Sequence, residues 1–122
     1  MITEHIYSLP KQCRLRKADE FRAVLRNRTV FESLSLRLHI KKTKPVSNGC
    51  ARIGLIVAKK IERKAVRRNR IKRLIREAFR KHRQAVQGMD CVMQLRRSVE
   101  PSDSAHIYQE AIMLLQKAAR QL

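Results

Sequence analysis

The stretch from Lys59 to Arg83 limits what this chain can become more than any other. It reads KKIERKAVRRNRIKRLIREAFRKHR and sets thirteen Lys or Arg against two Glu. Within it Ile71, Leu74, Ile75, Ala78 and Phe79 recur at the spacing of a helix with one buried face, predicted over Ala65 to His82 and closed off near Gly88. At about 100° per residue, Asn69, Lys72, Arg73, Arg76, Arg80 and Arg83 project from the opposite side, with Arg68 and Arg70 on its shoulders. Such a ridge repels itself unless a polyanion lies against it. A merely solvated face needs acidic partners at i±4, and only Glu77 is placed for that, toward Arg73 and Lys81. The stretch therefore predicts a helix packed on one side and meeting phosphate on the other.

At 122 residues the chain is the size of one domain, with residues 1–13, which show no clear periodicity, as a loose N-terminal arm. A formal charge of +19 exceeds what solubility requires and raises the local concentration of polyanions. Nucleic acid is the leading partner class, because counterion release favours each phosphate contact. An anionic membrane surface is the alternative, weakened because the basic helix has no Trp and few apolar groups beyond its core stripe. Cys13, Cys50 and Cys91 are odd in number and widely spaced, with no CxxC pair. That argues against a disulfide framework and a zinc site, and for a reducing compartment. His5, His39, His82 and His106 are equally scattered, so no metal site is expected. The N-terminus lacks a basic start and apolar run, and the longest apolar stretch, Ile53 to Ala58, is too short to span a bilayer. These features predict a cytoplasmic protein with no membrane partner.

A short helix is predicted around Lys17 to Asn27, with Ala18, Phe21, Val24 and Leu25 on one side. Asp19 and Glu20 fall in its first turn, where the helix dipole favours negative charge. From Val30 to Lys42, Leu34, Leu36, Leu38 and Ile40 alternate with polar residues, the period of a half-buried strand. Thr43 to Gly49 reads as a turn. A second strand follows over Ala51 to Lys59, with Ile53, Leu55 and Val57 on one face and Gly54, Ile56 and Ala58 on the other. These two strands are expected to form an antiparallel hairpin. Asp90 to Arg96 predicts a further strand, interrupted by Gln94. Pro101 to Ser104 open a C-terminal helix whose stripe is Ile107, Ala111, Leu114, Leu115 and Ala118. Strands alternating with helices predict an α/β sandwich rather than a bundle.

No catalytic constellation accompanies this frame. The ten carboxylates are spread singly, and three glycines could hardly build a phosphate-cradling loop. Arg and Lys can position phosphates, while reacting groups must come from elsewhere. Composition also fits a ribosomal or RNA-chaperone protein. A major-groove DNA module is a third class, but base reading needs exposed Asn, Gln or Ser among the arginines, and only Asn69 qualifies.

Lys59-Lys60, Ala65 and the run Arg68-Asn69-Arg70-Ile71-Lys72-Arg73-Leu74-Ile75-Arg76-Glu77-Ala78-Phe79 closely resemble the signature of the protein subunit of bacterial ribonuclease P. Arg14-Leu15 and Asp19-Glu20-Phe21 look like that family's first helix, and Arg52-Ile53-Gly54-Leu55 like the strand entering the signature. Asp90 with Arg96-Arg97 is similar to its last strand and basic end, so the resemblance spans residues 14 to 119.

The resemblance implies a two-layer α/β sandwich with a sheet of about four strands, N- and C-terminal helices, and the basic helix in a left-handed βαβ crossover, an exception to the usual hand. It implies a ribonucleoprotein in which a catalytic RNA and its Mg²⁺ ions remove the 5′ leader of precursor tRNA, with no small-molecule cofactor and no catalytic protein side chain. Arg68, Asn69 and Arg70 are then expected to meet the catalytic RNA and its metal region, with Lys72, Arg73 and Arg76 extending the contact. Lys64, Arg67 and Arg80 join the RNA-binding set, and Lys59 and Lys60 stand at the mouth of the leader cleft. Phe21, His39, Gly54 and Ala58 are its expected lining, His39 falling where the family often has Tyr. Leu25 replaces a common second aromatic, Ala58 a Ser or Thr, and Cys91 and Gln94 apolar or aromatic strand residues. With so few aromatics, leader binding is expected to rest on phosphate contact more than on stacking.

Overall fold

The computed structural model describes residues 11–43 and 51–121. Three α-helices and four strands make up the described residues. Helix α1 (Ala18–Arg26) leads into β1 (Thr29–Glu32) and β2 (Leu36–Lys42). Then come β3 (Arg52–Ile56), the basic helix α2 (Ala65–His82), β4 (Met89–Leu95) and α3 (Ser104–Gln121). The bounds of α2 are those its stripe predicts. Arg83, expected on its exposed side, instead begins a 3-10 turn, and its Nη1 lies 3.6 Å from Cys13 Sγ. Of the expected N-terminal arm, Lys11–Cys13 form a 3-10 turn with Cys13 buried, and residues 1–10 lie outside the described residues.

The sheet order is β1-β2-β4-β3, which corrects the expected hairpin. The strands on either side of the 43–49 segment are not neighbours, because β4 enters between them. It pairs antiparallel with β2, from Leu36↔Leu95 to Lys42↔Met89, and parallel with β3, from Arg52↔Asp90 to Ile56↔Gln94. The most deeply buried strand thus takes a central place with both edges paired. A parallel β3–β4 pair needs a long crossover, and α2 supplies it. The predicted turn itself lies largely in residues 44–50, outside the described residues.

The alternating run from Val30 to Lys42 is two strands, not one. Ser33 N–H donates to the Leu36 carbonyl at 2.9 Å and closes a tight reversal, leaving Leu34 68% exposed at its tip. The true hairpin is therefore β1–β2.

Period-two alternation sorts the side chains between two clusters. Leu36, Leu38, Ile40, Ile53, Cys91, Met93 and Leu95 turn toward α2 and α3. There they meet Ile71, Ile75, Ala78 and Phe79 of the basic helix and the entire predicted stripe of α3. The other sheet face carries Val92 and Ile56, which pack with Leu15, Phe21, Val24 and Leu25 beneath α1. Cys13 is disulfide-bonded, against the expectation drawn from three scattered cysteines. Cys91 is a free thiol, its pKa raised by burial and by the charge of Asp90. No helix among the described residues is long and apolar enough to cross a membrane.

Candidate nucleic-acid interface

Burying one stripe of α2 forces its cations outward. Asn69, Lys72, Arg73, Arg76 and Arg80 line a cavity of about 590 Å³, joined by Arg14 from the N-terminal segment and by Glu77. Arg14 is held there by a parallel bridge to Ile53, and Leu15 N–H donates to the Ile53 carbonyl at 2.9 Å. Arg14, Lys72 and Arg76 also line a neighbouring cavity of about 250 Å³ with Arg16, Phe21 and Gly54. The two form one groove, with cations along one length and an aromatic ring at the other end.

The Phe21 ring lies directly on the Gly54 backbone. A Cβ at position 54 would stand 2.5 Å from Phe21 Cε1 and 3.2 Å from Leu15 Cβ, so only glycine admits the ring there.

The structure divides the predicted cations by what they already hold. Asn69, Arg70, Lys72, Arg73 and Arg76 make no side-chain hydrogen bond or ion pair among the described residues. Arg68 turns back on the loop before the helix, where its Nη1 donates to the Glu62 and Arg63 carbonyls at 3.1 and 2.9 Å. Arg67 stands 3.9 Å from Glu100. Of the two partners expected for Glu77, Lys81 stands 3.5 Å away while Arg73 does not pair with it, and Arg80 takes the carboxylate as well. Lys59, Lys60 and Lys64 are exposed between β3 and α2. The open charge is thus concentrated on Asn69–Arg76, and Arg68 braces the segment that presents it.

Of the expected cleft residues, Phe21 and Gly54 share a cavity, whereas His39 and Ala58 are absent from its lining. His39 is buried on the α1 face of the sheet, its Nε2 2.9 Å from Gln94 Oε1. The two unusual polar residues of that face therefore pair with one another, while the buried His39 Nδ1 has no hydrogen-bond partner among the described residues. The Ala58 carbonyl accepts the N–H groups of Ile61 and Glu62 and shapes the loop carrying the lysines.

Sequence reasoning missed a group that fixes the groove's walls. Arg52 forks onto Asp90, Nε to Oδ1 at 2.8 Å and Nη2 to Oδ2 at 2.7 Å, while its Nη1 reaches Glu20 Oε2 at 2.7 Å. Glu20 Oε1 also accepts the Arg16 and Lys17 N–H groups, both at 3.0 Å, as a cap for α1. The Lys17 and Arg16 N–H groups, and then the Arg52 charge, hold the Glu20 carboxyl below its ordinary range. Arg52 is raised, first by its hydrogen bond to Asp90. The triad ties α1 to β3 and β4, so Phe21 is carried on a fixed helix.

The groove's donors do not suit a protein-held Mg²⁺ ion. It is lined by guanidinium and ammonium groups, and its one carboxylate is engaged by Arg80 and Lys81. Hard divalent cations take oxygen ligands, and among the described residues no three His, Cys, Asp or Glu gather to offer them.

The family model for ribonuclease P matches residues 9–119. The chain is 88% identical to the ribonuclease P protein component of Nitrosomonas eutropha and 72% identical to that of Nitrosomonas europaea, each over the full length of both chains. The fold is similar to that of the Staphylococcus aureus RNase P protein, with a TM-score of 0.75 at 24% identity, covering 87% of this chain and 94% of that one. The Thermotoga maritima RNase P protein gives a TM-score of 0.67 at 24% identity, covering 85% of this chain and 96% of that one. Signature, strand order and these matches agree: the chain belongs to the ribonuclease P protein family.

Proposed function

We propose that the chain is the protein subunit of a cytoplasmic ribonuclease P ribonucleoprotein, binding the catalytic RNA and the 5′ leader of precursor tRNA during endonucleolytic leader removal. The observation that carries this reading is the unpaired row Asn69–Lys72–Arg73–Arg76, whose Lys72 and Arg76 continue into the cavity that holds Phe21. A folded RNA supplies phosphates at the density such a row needs, and single-stranded nucleotides fit a basic groove ending on an aromatic ring. Hydrolysis belongs to the RNA and to Mg²⁺ held by RNA phosphates, since the groove offers cations and no suitable oxygen donors. The protein's part is to lower the electrostatic cost of bringing two RNAs together and to hold the leader.

The test compares the affinity of the reconstituted particle for precursor tRNA and for leaderless tRNA, with wild-type protein and with Phe21→Ala. The expected result is a preference for precursor that weakens in the variant. Equal affinity for both substrates with wild-type protein contradicts leader binding.

A further inference from the structure

A separate slot of about 220 Å³ lies beside the start of α2. None of its residues lines the ridge cavity or the Phe21 cavity. At about 100° per residue, Val66, Arg67, Arg70 and Ile71 occupy a different side of the helix from Asn69, Lys72 and Arg76. The floor is apolar, made by Val66, Ile71, Val99 and Pro101. A single exposed valine is ordinary, but Val66 is 82% exposed and extends a floor continuous with buried Ile71 and Val99. Lys64, Arg67 and Arg70 surround it. Glu100 forms part of the wall, with its side chain 71% exposed and 3.9 Å from Arg67, leaving the carboxylate open to another donor.

We propose that this slot docks one unstacked nucleotide of the catalytic RNA. Its base lies on the apolar floor, its phosphates face Lys64 and Arg70, and an amino-bearing edge meets Glu100. Apolar floor, cationic surround and one carboxylate acceptor match the three parts of a nucleotide: ring face, phosphate and exocyclic amine. The space equals roughly seven water molecules, the scale of one heterocycle. Charge complementarity selects RNA over an apolar peptide. The slot's separation from the Phe21 cavity selects the catalytic RNA over the leader. The inference rests on the RNA-binding reading above and adds a base-specific contact to it.

The test is chemical probing of the catalytic RNA in the reconstituted particle, with wild-type protein, Val66→Ser, Glu100→Gln and Arg73→Ala. Because Val66 is exposed, Val66→Ser should keep the wild-type urea midpoint. One unpaired nucleotide protected by wild type should regain reactivity with Val66→Ser, and RNA affinity should fall about three- to tenfold with the salt slope unchanged. Glu100→Gln should weaken protection of the same nucleotide. If Val66→Ser changes neither protection nor affinity while Arg73→Ala still weakens binding, the slot is overturned and the ridge stands. If Arg73→Ala also has no effect, the RNA-binding reading falls with it. Altered reactivity only in the leader, or only in self-association of the free chain, likewise overturns the assignment.

Discussion

Replacing Arg52 with Met tests whether the Glu20–Arg52–Asp90 triad holds α1 to the sheet. The Asp90 side chain is 7% exposed, Arg52 33% and Glu20 27%. Stripping the partner from a buried carboxylate costs about 3 to 5 kcal/mol. Water reaches part of this site, so the expectation is lower, about 2 to 3 kcal/mol. For a domain of this size that lowers the urea midpoint by about 1 to 2 M with little change in slope. Arg52→Met combined with Asp90→Asn should recover part of the loss, because the stranded charge is the main penalty. The folded Glu20 carboxyl lies below its ordinary 4.5, so its contribution is complete above that pH and is lost as pH falls through the lower folded value. Since the Lys17 and Arg16 N–H groups are the larger causes, Arg52→Met should weaken this acid dependence without abolishing it. A midpoint within about 0.3 M of wild type, or no recovery in the double variant, refutes the reasoning.

If the interface engages on the order of six phosphates, log affinity for RNA should fall with log salt at a slope of about −4 to −5. Arg73→Ala and Arg76→Ala should each flatten that slope by roughly one unit, and Arg80→Ala by less, since Glu77 already holds Arg80. Ile75 is fully buried, so Ile75→Ala should cost about 2 to 5 kcal/mol in urea unfolding and leave the salt slope of the folded protein unaltered. Gly54→Ala drives a Cβ to 2.5 Å from the Phe21 ring; calorimetry should show a loss of about 1 to 3 kcal/mol, and the preference for precursor over leaderless tRNA should shrink.

The basic helix was legible because a 3.6-residue apolar period survives among thirteen cations and leaves only one orientation that avoids burying charge. The stripe of α3 was legible for the same reason. Strand order was not, because alternation reports which face of a strand is buried and nothing about its neighbour. Hence β4 came to lie between strands expected to pair. Leu34 kept the alternation running through a reversal, so β1 and β2 read as one strand. On the helix, residue type and spacing placed Arg68 beside Arg70, yet Arg68 reaches back to two loop carbonyls while Arg70 does not. The Arg52 triad was hidden because its partners lie 32 and 38 residues away. The family resemblance pointed to Phe21 and Gly54 together, and the two share a cavity, with the ring lying on the Gly54 backbone.

Single-turnover cleavage of precursor tRNA at low Mg²⁺ tests the division of labour most directly, with the protein alone, the catalytic RNA alone, and both together. The account predicts no leader removal by the protein, weak cleavage by the RNA, and restored cleavage by the pair that is reduced when Arg73 and Arg76 are both changed to Ala. Cleavage by the purified protein without RNA, or full restoration by the doubly substituted protein, contradicts it.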